Sequence, residues 1–377
     1  MTTARRMRSD LPGFCLILCL VTAPGCSWFG KSSPPVWIDG SSKEYPTEQY
    51  LVGVGRADNA TSASENAYAA VAKIFKAEVS AQSRDWESFL LVENRTGAKS
   101  ERRLTLDQVT KVSTDKVIEN VRVLDRWMDR ASGTHYALAG MHRAQAAAAV
   151  QERLAEFDRT VETEVQEARQ APNKLNRIRN LRRAIKTLVL RDATNADLRV
   201  IRNSGQGNPA AYRVPELTTE LEQFLAGNFV VSVDVTGEQQ EAVRRAVMEG
   251  LLREGLPVTT KGAGDDPNRP AELSVTGTVR LWKVELADPQ FKYVRWCSDF
   301  VIVENESQRV VGAVSRAGKE GHLTHAEATA KAIRVMQQEV TANLSKTLAD
   351  YVYGDSDPPA TTPPAACPRS DGSPGAR

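Results

Sequence analysis

Five cysteines and one dense row of cations are the residues whose types and spacing invite chemistry in this chain. Cys15 and Cys19 lie in an apolar stretch near the amino terminus, Cys26 follows a run of small residues, and Cys297 and Cys367 stand far downstream. A thiol can be acylated, can bridge to another thiol in an oxidising compartment, or can ligate a metal. No Cys-x-x-Cys and no Cys/His grouping occurs, so no metal is expected. Cys297 and Cys367 are either one disulfide, which would pin the carboxy-terminal tail to a strand, or two independent thiols. The cations are Lys174, Arg177, Arg179, Arg182, Arg183 and Lys186, continued by Arg191. On a helix they would form a patch for an anionic partner such as lipid headgroups or a glycan strand; a simply solvated helix face looks the same. They have no interleaved aromatics for base stacking.

Other motifs resolve into bland readings. Gly53-Val54-Gly55 lacks the third glycine of a dinucleotide loop, and the next helix begins too late to aim its amides at a pyrophosphate. A tight turn explains the glycines better. His322 and His325 stand three apart but straddle a helix start without a carboxylate–histidine motif, which suits a solvated helix entrance. Asp265-Asp266 lies in a Gly/Pro loop with nothing to mark an acid/base couple. There is no GxSxG, no P-loop lysine and no HExxH. The expectation is therefore a protein with no catalytic residues and no cofactor.

The setting of Cys26 is more specific. Arg5, Arg6 and Arg8 precede an apolar stretch, Phe14 to Val21, far shorter than the ~20 residues of a membrane-crossing helix. That order of charge and apolarity is a secretory signal peptide. Val21-Thr22-Ala23-Pro24-Gly25-Cys26 then resembles the bacterial lipobox, whose cysteine is lipidated and becomes the mature terminus. Ala23 stands where Leu is usual. The alternative is a plain secreted protein with Cys26 unmodified or disulfide-bonded. Ser27, where an aspartate would resemble the inner-membrane retention signal, favours the outer membrane facing the periplasm. The three arginines against Asp10 account for the formal net charge of +2, so the mature chain is neutral. A neutral body has no general attraction for nucleic acid.

The 377 residues, 41% hydrophobic and 25% charged, are enough for more than one folded unit. Tyr50–Gly55 reads as a strand. Ser62 and Glu65 fit a capping box opening a helix with Ala67, Val71, Ile74, Phe75 and Val79 on one side. Strands are expected near Trp86 to Val92, Val117 to Met128 and Gly133 to Met141. Two helices, Ala144 to Arg169 and Lys174 to Leu190, form a hairpin, and Asn203–Pro209 reads as a linker. A second unit comes after it: a strand from Phe229 to Val235, a helix from Gln239 to Glu254, and a possible edge strand near Pro257 to Thr260. Three strands come next, Ala271 to Leu286, Phe291 to Glu304 and Arg309 to Ala317, then a helix capped by Thr324 with Glu327. Six prolines after Asp355 signal a disordered tail.

Pro35-Val36-Trp37, Tyr50-Leu51-Val52-Gly53-Val54-Gly55, the Ala-rich helix and His135-Tyr136-Ala137-Leu138-Ala139-Gly140-Met141-His142-Arg143 resemble the Lpp-twenty-type bacterial outer-membrane lipoprotein family. In that pattern His135 replaces an aromatic and Gly140 interrupts the apolar run. The second unit resembles, by element order, the periplasmic α+β domain of TolB amino-terminal regions, of penicillin-binding-protein activators and of the flagellar T protein. These resemblances imply an envelope location and non-catalytic assembly or interaction roles. The expected fold class is α+β, two small sheet-plus-helix periplasmic domains joined by a helical hairpin. Its divisions are signal peptide 1–25, tether 26–36, first domain 37–155, hairpin 156–202, linker 203–216, βαβββα domain 217–354 and tail 355–377. Expected partners are the membrane, through the lipid anchor, and envelope proteins or peptidoglycan. The alternatives are a regulator of a cell-wall synthase and an envelope hydrolase with unrecognised carboxylates.

Overall fold

A computed structural model describes residues 33–40, 42–82, 118–260, 270–285, 290–354 and 365–368, with Trp86, Val109, Lys111 and Asp115. Met1–Pro35 and Val36–Arg377 are separate units, and the helices and strands among the described residues belong to the second. Cys26, the strand expected near Trp86 to Val92 (Trp86 apart) and Asp265-Asp266 lie outside the described residues.

Three antiparallel strands, β1 (Tyr50–Ala57), β2 (Arg122–Met128) and β3 (His135–His142), form a sheet in the order β1-β3-β2. Helix α1 (Ala60–Gln82) lies on it through Ala63, Ala67, Val71 and Phe75, one fully buried residue per four, while Val79, next in that spacing, packs in a second core. Gly53 and Gly55 make this approach possible. A Cβ at Gly55 would stand 2.2 Å from the Ala67 amide nitrogen, so the glycines serve helix–strand packing rather than a turn. The helix begins earlier than its sequence suggests: Asn59 Oδ1 accepts from the Ser62 amide at 2.9 Å, and Ser62 lies inside the helix. The buried Trp37 donates through Nε1 to Asp125 at 2.7 Å, fixing where the chain enters this sheet.

Helices α2 (Arg143–Gln170) and α3 (Lys174–Ile201) form the hairpin. Asn173 caps α3, accepting from the Leu175 and Asn176 amides. The hairpin therefore starts at 143 rather than 156, and α3 runs well past Leu190. Being long, α3 reaches two sheets. Leu175 to Ala196 pack in the core of the second sheet, while Leu198 and Ile201 pack in the core of the first. Helices α1 and α2 divide in the same way, with Val79 of α1 and Val161, Val165 and Ala168 of α2 in the second core and the rest of their buried faces in the first.

The expected linker 203–216 is held in place. Arg191, 1% exposed, donates to the Asn208 and Pro209 carbonyls, both at 3.0 Å, and to Asp158. Asn195 Oδ1 accepts from the Asn208 amide at 2.7 Å. Polar, glycine-rich composition suggests slack, but buried side chains satisfy this backbone. From residue 214 it is helical: α4 (Val214–Asn228) has a proline in its first turn and buries Leu217, Leu221 and Leu225. This helix was not expected from the sequence.

The second sheet has five strands in the order β5-β4-β6-β7-β8. They are β4 (Val231–Gly237), β5 (Val258–Thr260), β6 (Leu273–Val284), β7 (Lys292–Glu304) and β8 (Arg309–His322). β4 runs parallel to β5 and β6; the other pairs are antiparallel. Helices α5 (Gln240–Arg253) and α6 (His325–Val352) supply the helical layer, burying Val243, Val247, Met336, Val340 and Leu344 with the inward strand residues Val233, Val275, Phe300 and Ile302. Thr324 caps α6, accepting from the Glu327 amide and donating to its carboxylate at 2.8 Å. β8 outruns its expected end at Ala317 by five residues. Its polar second half still pairs because Gly318 lies under Trp296 and Gly321 under Tyr293, where a Cβ would collide with the ring. The architecture is α+β: within Val36–Arg377 two sheets, of three and five strands, each carry helices, and the hairpin packs in both cores. Among the described residues no helix is long and apolar enough to cross a membrane.

Candidate functional site on the outer sheet face

Period-two alternation turns one set of residues on β6, β7 and β8 towards the helices and the other set outward. The outward set includes Arg280 on β6 and Cys297 and Asp299 on β7. Arg280 and Cys297 are direct cross-strand partners, and Asp299 lies one outward row along. On these three residues the chain's own tail is fastened. Cys297 and Cys367 form a disulfide across a sequence separation of 70. The Asp299 carboxylate accepts from the amides of Ala366, at 2.7 Å, and Cys367, at 2.9 Å. Arg280 donates to the Pro368 carbonyl at 2.8 Å. One covalent bond and three charge-assisted hydrogen bonds thus hold the tail as a strap on the sheet. The chemistry available here is thiol–disulfide exchange, in which a dithiol would reduce the bridge to two thiols and be oxidised itself. The sequence pointed to the cysteines but not to Asp299 and Arg280. Asp299 could have been suspected, two residues from Cys297 and so on the same face; Arg280 is placed only by the strand register.

The cationic row on α3 corrects the expectation of an anion-binding patch, because its members do not share a free face. Lys174 pairs with Glu272, the residue just before β6. Arg177 lies 4.4 Å from the Phe224 ring centroid and 3.6 Å from Glu220 on α4. Arg179 stacks over Tyr351 and donates to its carbonyl at 2.7 Å; Arg182, 7% exposed, stacks over Tyr353 at 4.2 Å. Arg183 bonds Asn180 and approaches Glu164 at 3.9 Å, and Lys186 also has a partner. The guanidinium groups bind α3 to α4 and to the end of α6, their planes covering aromatic rings. A helix at the junction of two cores keeps few solvated positions, such as Asn176 and Arg183, and these form no continuous cationic face. On the hairpin's inner side, burial pushes the Glu164 carboxyl above the ordinary glutamate range, against the opposing pull of the Thr187 hydroxyl and Arg183.

His322 and His325 separate. His322 Nδ1 meets Glu327 at 2.8 Å, while His325 Nε2 faces Glu285 at 3.6 Å. Among the described residues no group of three or more His, Cys, Asp or Glu is arranged to hold a metal ion.

Residues 35–142 match the model of a family described as LPP20 lipoprotein, the stretch that contains Trp37, the first sheet and α1. No curated protein matches the chain. Distant similarities to solved structures exist. The secreted protein HP1454 of Helicobacter pylori is 12% identical, with 79% of this chain and 98% of that one covered and a TM-score of 0.35. A minor lipoprotein of Acinetobacter baumannii is 10% identical over 35% of this chain and 96% of that one, with a TM-score of 0.23.

Proposed function

We propose that the protein is a lipid-anchored, non-catalytic interaction module of the bacterial envelope, held at the outer membrane and facing the periplasm. The observation that carries this reading is the lipoprotein-family match at residues 35–142, which begins nine residues after Cys26. The anchor is a diacylglycerol and a further acyl chain such as palmitate on Cys26, each buried methylene contributing about 0.8 kcal/mol, so that two or three chains give stable attachment. The Cys297–Cys367 bridge supports an exported location, because such bonds persist in oxidising compartments. Ser27 favours the outer membrane over inner-membrane retention. With a helix shared between two cores, the module presents fixed surfaces to envelope proteins or peptidoglycan rather than two beads on a string.

Labelling of cells with palmitate tests the anchor. Label is expected in the wild-type protein and absent after Cys26→Ser, and globomycin should cause precursor to accumulate. Unlabelled wild-type protein with normal processing under globomycin would overturn the reading. Crosslinking in intact cells followed by mass spectrometry then reports the partners.

A further inference from the structure

Beyond the strap, the outward face of β6, β7 and β8 changes chemistry row by row. The β7–β8 register pairs Lys292 with His322, and one step further brings Phe291 opposite Leu323. Phe291 is 41% exposed and Leu323 64% exposed. The next outward row holds Val284, Tyr293 and Gly321; the row after it holds Trp282, Arg295 and Lys319. Arg295 and Lys319 are exposed, Trp282 and Tyr293 half-buried, and the Lys319 ammonium lies 5.1 Å from the Tyr293 ring centroid. At a strand rise of about 3.3 Å per residue, the cationic row stands roughly 13 Å behind the apolar tip, with Tyr293 in the row between them and Trp282 beside the cations.

Among the described residues, no acidic side chain occupies these three rows. The nearby acids among the described residues have the other parity or lie on α6, and they are engaged: Glu285 with His325, Glu320 with Lys331, Glu327 with Thr324 and His322. The sequence of apolar tip, aromatic ring and cation is the order in which a bilayer surface changes from acyl chain to glycerol–ester interface to phosphate. A leaflet's polar region is about 5–8 Å deep, so with the tip at the acyl boundary the backbone of the cationic row stands about 5–8 Å outside that layer, a gap that long side chains span, as the Lys319 ammonium does in lying beside Tyr293, one row nearer the tip.

We propose that this end of the second sheet is a contact surface for an anionic lipid layer. Phe291 and Leu323 enter the headgroup–acyl boundary, Tyr293 lies at the glycerol–ester level, and Arg295 and Lys319, with Trp282 beside them, reach towards lipid phosphates. A dissolved polyanion would use the two cations but has no need of two large exposed apolar residues leading them, which is why a lipid surface is the better fit. The surface requires no acyl chain on Cys26, so it stands or falls separately from the anchor.

Full-length protein carrying Cys26→Ser, and hence no acyl chains, is mixed with vesicles of phosphatidylglycerol and phosphatidylcholine, or of phosphatidylcholine alone, and sedimented. Binding is expected on the anionic vesicles and to fall with salt. In the same background Arg295→Gln with Lys319→Gln should lower the partition coefficient about 30-fold. Phe291→Ser with Leu323→Ser should lower it about tenfold or more. Lys319→Gln alone, at an exposed position where folding is not at issue, should give about fivefold. Equal binding by parent and variants overturns the proposal. So does a result in which the Phe291/Leu323 variant keeps full binding and a soluble sulfated polysaccharide displaces it, because the face would then be a polyanion site.

Discussion

Removing the bridge that straps the tail should cost about 1.5 kcal/mol, well below what loop closure in the unfolded chain suggests. In that chain the bond closes a loop of 70 residues, worth about 4 kcal/mol by chain entropy alone. The folded protein must close a loop as well. Cys367 stands 13 residues beyond Gly354, which lies just past the end of α6, so counted along the chain the bridge closes a loop of that length on the folded core. Only the difference counts: (3/2)RT ln(70/13) is about 1.5 kcal/mol. The three hydrogen bonds of Asp299 and Arg280 are of the same size as the cost of ordering residues 365–368, so they leave this figure in place. Urea unfolding of wild type, Cys297→Ala, Cys367→Ser and the double variant, each with and without a dithiol, measures it. All three variants should lose the same amount, the double no more than either single, and reductant should bring wild type down to them. A loss near about 4 kcal/mol would refute the reasoning, because the tail would then be integral to the folded core. No loss, with reductant also without effect, would refute the bridge.

Packing and charge give two other expectations. Gly55→Ala drives a methyl to 2.2 Å from the Ala67 nitrogen and 2.3 Å from the Ala63 carbonyl oxygen, where backbone cannot yield locally. It should cost about 3 kcal/mol or more, read as a shifted urea midpoint, whereas a loss under about 1 kcal/mol would mean that α1 does not sit on β1 as described. Glu164 has a folded pKa raised above its ordinary value of 4.5, chiefly by burial. Its contribution to stability is therefore full below that value and is lost as pH rises through the raised one. Glu164→Gln should match wild type near about pH 4 and exceed it at about pH 7.5 in urea midpoint, and a variant that is weaker at the higher pH would contradict this sign.

The sequence by itself determined most elements, because periodicity and caps are local. Thr324 with Glu327 opens α6, four-residue spacing from Ala63 to Val79 makes α1, and alternation in residues 273–284 and 292–304 makes β6 and β7. Local signals also misled where they competed: Ser62 looked like a cap until Asn59 took that place, and glycines with asparagines at 203–209 looked like slack. α4 was missed although Leu217, Leu221 and Leu225 repeat every four residues, since its start was absorbed into the linker. Tertiary structure alone decided the rest. Whether cations on α3 face solvent depends on what packs around α3, and two cores pack there. Whether Cys297 meets Cys367, and whether Asp299 and Arg280 clamp the same tail, depends on strand register and on where residue 367 returns. Side-chain chemistry is written in the chain, but proximity between residues tens of positions apart is set only when the sheets close.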